Sequence, residues 1–219
     1  MLPYIDIHTH QHIVENELFQ VLNTIIGKEE VPNSICSVGI HPWYFDNNLD
    51  EQYALLRVAI QQPNVIAIGE CGLDKICNTP WDRQIQVFEQ QIQLANTSQK
   101  PLIIHCVRAY EEVIYVLMEQ KVQVPVLFHG VNKKLPLIQS LIKLGYYISF
   151  GAFILDGQHD EAIKTIDLTK IFLETDNKST NIIDIYSYFC RVRNISIEQL
   201  KQQLVQNMSN VFNYKIVPQ

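Results

Sequence analysis

A chain of 219 residues with 47% hydrophobic and 18% charged residues has the composition of a globular protein with a full core, not of a disordered segment. Its formal net charge of -6 rules out a global basic field drawing it onto nucleic acid, so a polyanion would have to be held locally, by bound cations. The five cysteines are scattered, without CxxC spacing, and no apolar run reaches membrane-spanning length; the expectation is one soluble, cytoplasmic domain over residues 1–219, with no obligate protein partner evident.

The first element is a short β-type run, Tyr4 to Ile7, that leads into His8-Thr9-His10. Side chains two apart in a strand share a face, so His8 and His10 converge and make half a metal site. Leu18 to Ile25 reads as a second strand, and Ile35 to Ile40 as a third that stops at His41-Pro42-Trp43, where proline cannot continue a ladder. A helix is expected from Asp50 to Gln61, with Asp50 as a cap candidate. Val65 to Gly69 is an apolar strand ending in Glu70-Cys71-Gly72-Leu73-Asp74.

Pro80 to Ser98 has the spacing of a long amphipathic helix, with Thr79 as its cap. Pro101 to Ile104 leads straight into His105, and Val124 to Phe128 straight into His129, with a helix over Glu111 to Gln120 between them. A further helix over Leu135 to Leu144, a strand over Tyr146 to Ser149 and the run Ile171-Phe172-Leu173 into Glu174-Thr175-Asp176 follow, and the remainder reads as helical.

Short apolar strands alternating with helices imply parallel β/α units, and about eight of them imply an α/β fold of the closed (β/α)8 TIM-barrel type. Too few residues separate the first three strands for crossover helices, so full helices are expected to be lacking after the first two. The strand C-terminal ends of such a barrel gather at one mouth, and His8, His10, His41, Glu70, His105, His129 and Asp176 all fall at or just past such ends.

Histidine and carboxylate ligands without thiolates suit Zn, Mn or Mg. Four histidines and two carboxylates exceed the needs of one tetrahedral ion. The surplus points to two divalent cations bridged by a shared carboxylate, with a water between them made nucleophilic at neutral pH.

The motifs DIHTH (Asp6 to His10), GIHPW (Gly39 to Trp43), IGECGLD (Ile68 to Asp74), PLIIH (Pro101 to His105), HG (His129 to Gly130) and LETD (Leu173 to Asp176) run the length of the chain. In that order they resemble the TatD-like metal-dependent deoxyribonucleases, within the amidohydrolase-type TIM barrels. The resemblance implies that His8, His10, Glu70 and Asp176 hold one ion and that Glu70, His105 and His129 hold the other, with Glu70 as the bridge and Asp176 also the general base. It implies a hydrolase acting on ester bonds, a phosphodiesterase or deoxyribonuclease whose substrate is nucleic acid or a small phosphodiester.

Three departures bear on the substrate. Family members carry arginine two residues after the histidine of the fifth strand; Val107 stands there, with Arg108 displaced by one. The usual HCFSG is reduced to His129-Gly130-Val131-Asn132, and Asn177 replaces the proline after LETD. An ester, amide or aminoacyl-bond hydrolase on the same ligands, or a non-catalytic metal-stabilised binding barrel, are the competing readings.

Other residues carry two readings each. His41 is either a non-ligand near the metals or a turn cap before Pro42; Asp74 is either a partner that orients a ligand histidine or a loop cap. Trp43, Tyr44 and Phe45 either stack a base or form aromatic core beneath a loop. His12 and His159, both in polar surroundings, are expected to be solvated, and Lys133 and Lys134 either meet a phosphate at the mouth or form a solvated helix start.

Overall fold

The computed structural model describes residues 1–15, 17–45 and 48–217. The sheet has eight strands in sequence order: β1 (Tyr4–Thr9), β2 (Leu18–Ile25), β3 (Cys36–Gly39), β4 (Val65–Asp74), β5 (Leu102–Val107), β6 (Val126–Phe128), β7 (Tyr147–Phe150) and β8 (Ile171–Leu173). The helices are α1 (Leu49–Ala59), α2 (Trp81–Ser98), α3 (Tyr110–Glu119), α4 (Leu135–Lys143), α5 (Asp160–Thr165), α6 (Ile182–Arg193) and α7 (Ile197–Phe212). This is a (β/α)8 TIM barrel. Among the described residues no helix stands between β1 and β2 or between β2 and β3, as the short spacing there demands.

Two compact units divide the chain, Asn23–Leu127 and the pair of segments Met1–Leu22 with Phe128–Gln219. In the discontinuous unit the barrel closes on itself: β8 is followed by a parallel bridge of Asp176 to Thr9, with the Asp176 amide on the His8 carbonyl at 2.9 Å and the His10 amide on the Asp176 carbonyl at 3.1 Å. Helices α6 and α7 cover β1 from outside. The buried Tyr186 hydroxyl of α6 accepts from the Ile5 amide at 2.9 Å and donates to the Ile5 carbonyl at 3.2 Å. Lys201 of α7, itself buried, sets its ammonium 3.4 Å from the centre of the Tyr4 ring, a contact that replaces part of the hydration it loses.

In the contiguous unit β4 is longer than the expected Val65 to Gly69. It runs on to Asp74 because β5 keeps pairing with it, from Ile68 with Leu102 to Asp74 with Val107, across a register shift between Ile68 and Cys71. Glu70 therefore lies within a strand and not after one. Glycine makes the extension feasible: Gly72 has φ +143, and a Cβ on it would sit 2.1 Å from the His105 carbonyl oxygen.

Three local expectations need correcting. The cap of α1 is Asn48, whose side chain accepts from the Glu51 amide, and Asp50 lies in the first turn. Thr79 does not cap α2; its hydroxyl donates to the Pro42 carbonyl at 2.6 Å, and Pro80 occupies the cap position. His159 is buried rather than solvated, packed edge-on against Phe153 with ring centres 4.9 Å apart, because a 3-10 turn (Ala152–Asp156) and α5 fold the β7–β8 connection back on itself.

Candidate metal centre

The discontinuous unit brings together His8, His10, His129 and Asp176. His8 points inward from β1 and is fully buried, whereas His10 lies just past the strand and is exposed. Their Nε2 atoms stand 3.8 and 3.6 Å from Asp176 Oδ1, and the His129 ring lies 4.2 Å from that of His8. Nitrogen and oxygen atoms of His8, His129 and Asp176 lie within 4.8 Å of one another. Asp176 has φ +54, a left-handed conformation that turns the chain immediately after β8.

Glu174, whose role the sequence left unassigned, supports this group. Its Oε1 is 3.3 Å from His129 Nδ1, and Ser149 of β7 donates its hydroxyl to Oε2. The Gly130 amide in turn donates to the Ser149 oxygen at 3.2 Å. Burial pushes the Glu174 carboxyl up, but the charges of His129 and His8 and the bond from Ser149 outweigh it and hold the group below the usual range. A carboxylate behind a ligand imidazole fixes the orientation of that ring. Asp6, four residues before His10, is buried as well; burial carries its carboxyl up to about 6 despite two hydrogen bonds from Thr175.

The contiguous unit brings together His41, Glu70 and His105, with ligand atoms again within 4.8 Å of one another. Glu70 Oε1 faces His105 Nδ1 at 2.5 Å and His41 Nε2 at 3.3 Å. Its Oε2 accepts from Asn23 Nδ2 at 3.2 Å, while the Glu70 amide donates to Asn23 Oδ1 at 3.0 Å. Asn23 was missed in the sequence, where it is one of three polar residues in β2, with Gln20 and Thr24.

The turn-cap reading of His41 is the one the hydrogen bonds show. Its Nδ1 accepts from the Trp43 amide at 3.1 Å, which caps the turn, and this leaves only Nε2 to face Glu70. Asp74 is the partner of a site histidine: its Oδ2 lies 3.0 Å from His105 Nε2 and accepts from Trp43 Nε1 at 2.6 Å. Burial opposes ionisation of Asp74, yet hydrogen bonds from His105, the Ile76 amide and Trp43 carry its carboxyl down to about 2. Both nitrogens of His105 thus face carboxylate oxygens, and His41, Glu70 and His105 form an imidazole and carboxylate set of the kind that could hold a divalent ion.

Arg108 and Trp43 both lie at the surface. Arg108 is exposed past the end of β5, with φ +55. Trp43 is 50% exposed rather than a core ring.

Residues 9–213 match the family model described as TatD related DNase. A protein of Buchnera aphidicola, described as an uncharacterized metal-dependent hydrolase, is 27% identical over 199 residues, which cover 83% of this chain and 75% of that one. A human 3'-5' RNA nuclease, TATDN2, is 34% identical over 149 residues, covering 63% of this chain and 19% of that protein. The crystal structure of YjjV, a TatD homolog from Escherichia coli, superposes with a TM-score of 0.81 at 20% identity and covers 98% of both chains, which speaks to the fold.

Fold and site together define a metal-dependent hydrolase built on a TIM barrel. The chain belongs to the TatD-related DNase family.

Proposed function

We propose that this protein is a divalent-metal-dependent phosphodiesterase whose substrate is nucleic acid or a small phosphodiester. It would hold two ions, Mg, Mn or Zn, one at the His8, His10, His129 and Asp176 group and one at the Glu70 and His105 group, with His41 beside the second. The observation that carries this reading is the thiolate-free donor chemistry: the six expected ligands fall into two groups of converging imidazole and carboxylate atoms. When bound, such ions supply Lewis-acid polarisation of a phosphoryl group and acidify water.

This chain's own residues have defined tasks in that scheme. Asp176, with a side chain 32% exposed, would accept a proton from the attacking water. Glu174 and Asp74 keep His129 and His105 oriented, and Asn23 holds Glu70 by both its amide and its carboxylate.

An ester, amide or aminoacyl-bond hydrolase on the same ligands is the second reading. The observation favouring it is Val107, two residues past His105, where family members carry an arginine that can grip a phosphate. A screen of the Mn-, Mg- and Zn-loaded protein against single-stranded DNA, single-stranded RNA, bis-p-nitrophenyl phosphate and simple carboxylic esters separates the two. Cleavage of the esters alone would sink the phosphodiesterase proposal, and metal uptake without turnover of any substrate would leave only a binding barrel.

A further inference from the structure

We propose that Trp43 is the platform on which the site stacks an aromatic ring of its substrate, a nucleobase. The inference rests on the phosphodiesterase reading and adds the chemistry of the group beside the scissile phosphate.

Trp43 combines exposure with fixation. Half of its surface is open, yet its backbone amide is tied to His41 Nδ1 at 3.1 Å and its indole N–H to Asp74 Oδ2 at 2.6 Å. That same oxygen is 3.0 Å from His105 Nε2. The ring stands edge-on to His41 at 5.4 Å and 90°, and to His105 at 6.0 Å and 80°. An indole serving only as core would be buried, and one serving only as surface would not be tied by its amide to His41 and by its indole N–H to the carboxylate that faces His105.

The anchoring has an energetic consequence. A rigid aromatic loses little conformational entropy when a ligand lies against it, so the stacking energy appears as affinity. Stacking tolerates any base, because every base offers a π-face. The arrangement therefore favours nucleotide-bearing phosphodiesters over base-free ones without selecting a base. Stacking also compensates for the phosphate grip that Val107 does not supply.

The test compares thymidine 5'-monophosphate with 2-deoxyribose 5-phosphate by calorimetry on the metal-loaded protein. Neither ligand contains a diester, so no hydrolysis intervenes. Thymidylate should bind about five- to a hundred-fold tighter. Trp43→Gln, which keeps a donor for Asp74 but has no ring, should abolish that preference; Trp43→Phe, which keeps a ring but no donor, should retain it. A purely structural role predicts the opposite ordering. In the unaltered protein thymidylate should quench indole emission, deoxyribose phosphate should not, and Trp43→Phe, where only Trp81 emits, should show no quenching. Equal binding of the two phosphates, binding of neither, or a preference that survives in Trp43→Gln overturns the proposal. A protein that stacks thymidylate but cuts no phosphodiester would refute the hydrolytic reading and leave this one standing.

Discussion

Asp6 receives both hydrogen-bond donors of Thr175, the amide on one carboxylate oxygen at 2.9 Å and the hydroxyl on the other at 2.6 Å. The Thr175 hydroxyl also meets that of Thr9 at 2.9 Å, so the first strand grips the residue immediately before Asp176. Thr175→Val keeps the volume but leaves a buried carboxylate oxygen without its closest donor. It should destabilise the protein by about 1–3 kcal/mol, read from urea melts with an unchanged slope. A loss under about 0.5 kcal/mol would mean that the clamp is dispensable.

Gly72 offers a sharper steric test. An added Cβ would lie 2.1 Å from the backbone oxygen of His105, at a φ of +143 that L-residues avoid. Gly72→Ala must push β4 away from β5, with an expected cost of about 3 kcal/mol or more and loss of the ion assigned to Glu70 and His105. A stable Gly72→Ala protein with full metal content would contradict the close approach of these strands.

The resemblance in the sequence set His129 beside His105 at one ion. The His129 ring lies 4.2 Å from that of His8, within reach of Asp176, and the grouping proposed above follows that proximity. His105→Ala and His129→Ala should then each lose one ion while keeping the other, as metal analysis of the purified variants would reveal. Loss of the same ion in both would restore the original grouping.

Asp176→Asn should abolish turnover in a folded barrel. The side chain keeps its size and one oxygen, but it loses the charge and the proton-accepting group. General-base work alone is worth about a hundred- to ten-thousand-fold, so activity at saturating metal should fall at least that far. Retention of more than about a tenth of wild-type turnover would remove Asp176 from that role.

Asp74 predicts an acid limb in the stability of the metal-free protein. Its folded carboxyl lies at about 2, below the ordinary 3.8, so the fold is stabilised above pH 4 and loses that contribution as pH falls toward 2. The amount is about 2 kcal/mol. Asp74→Asn should flatten the stability profile over that window; an unchanged slope would assign acid unfolding elsewhere.

What the sequence conveyed about this fold depended on the strand ends. Apolar runs of the β5 and β6 kind, each delivered straight into a histidine, placed both the strands and the site, because burial and chemistry alternate sharply there. β2 was legible to the residue, Leu18–Ile25. The extension of β4 past Glu70 was not, since it depends on glycines meeting a neighbouring backbone that only the folded sheet provides. Asn23, Ser149 and Glu174 went unassigned for a related reason: hydrogen bonds between residues 25 or 47 apart leave no periodic trace. The burial of His159 was hidden because its neighbours in the chain are polar and its packing partner Phe153 is set by a turn.

The way Met1–Leu22 belongs with Phe128–Gln219 imposes an order on biosynthesis. Tyr186, which satisfies the backbone of Ile5, emerges 181 residues after it, and Thr175 emerges 169 residues after Asp6. At about 5–20 residues per second a ribosome needs on the order of 10–30 s to bridge that gap. Throughout it, the first strand and its paired histidines wait without the partners that bury them, whereas Asn23–Leu127 is contiguous and can close in the meantime. The residues of the His41, Glu70 and His105 group are all synthesised by residue 105, whereas those of the His8 group are complete only at Asp176. Ribosome-bound chains stalled before residue 175 should accordingly protect the middle of the chain from protease and leave the N-terminal strand open to it.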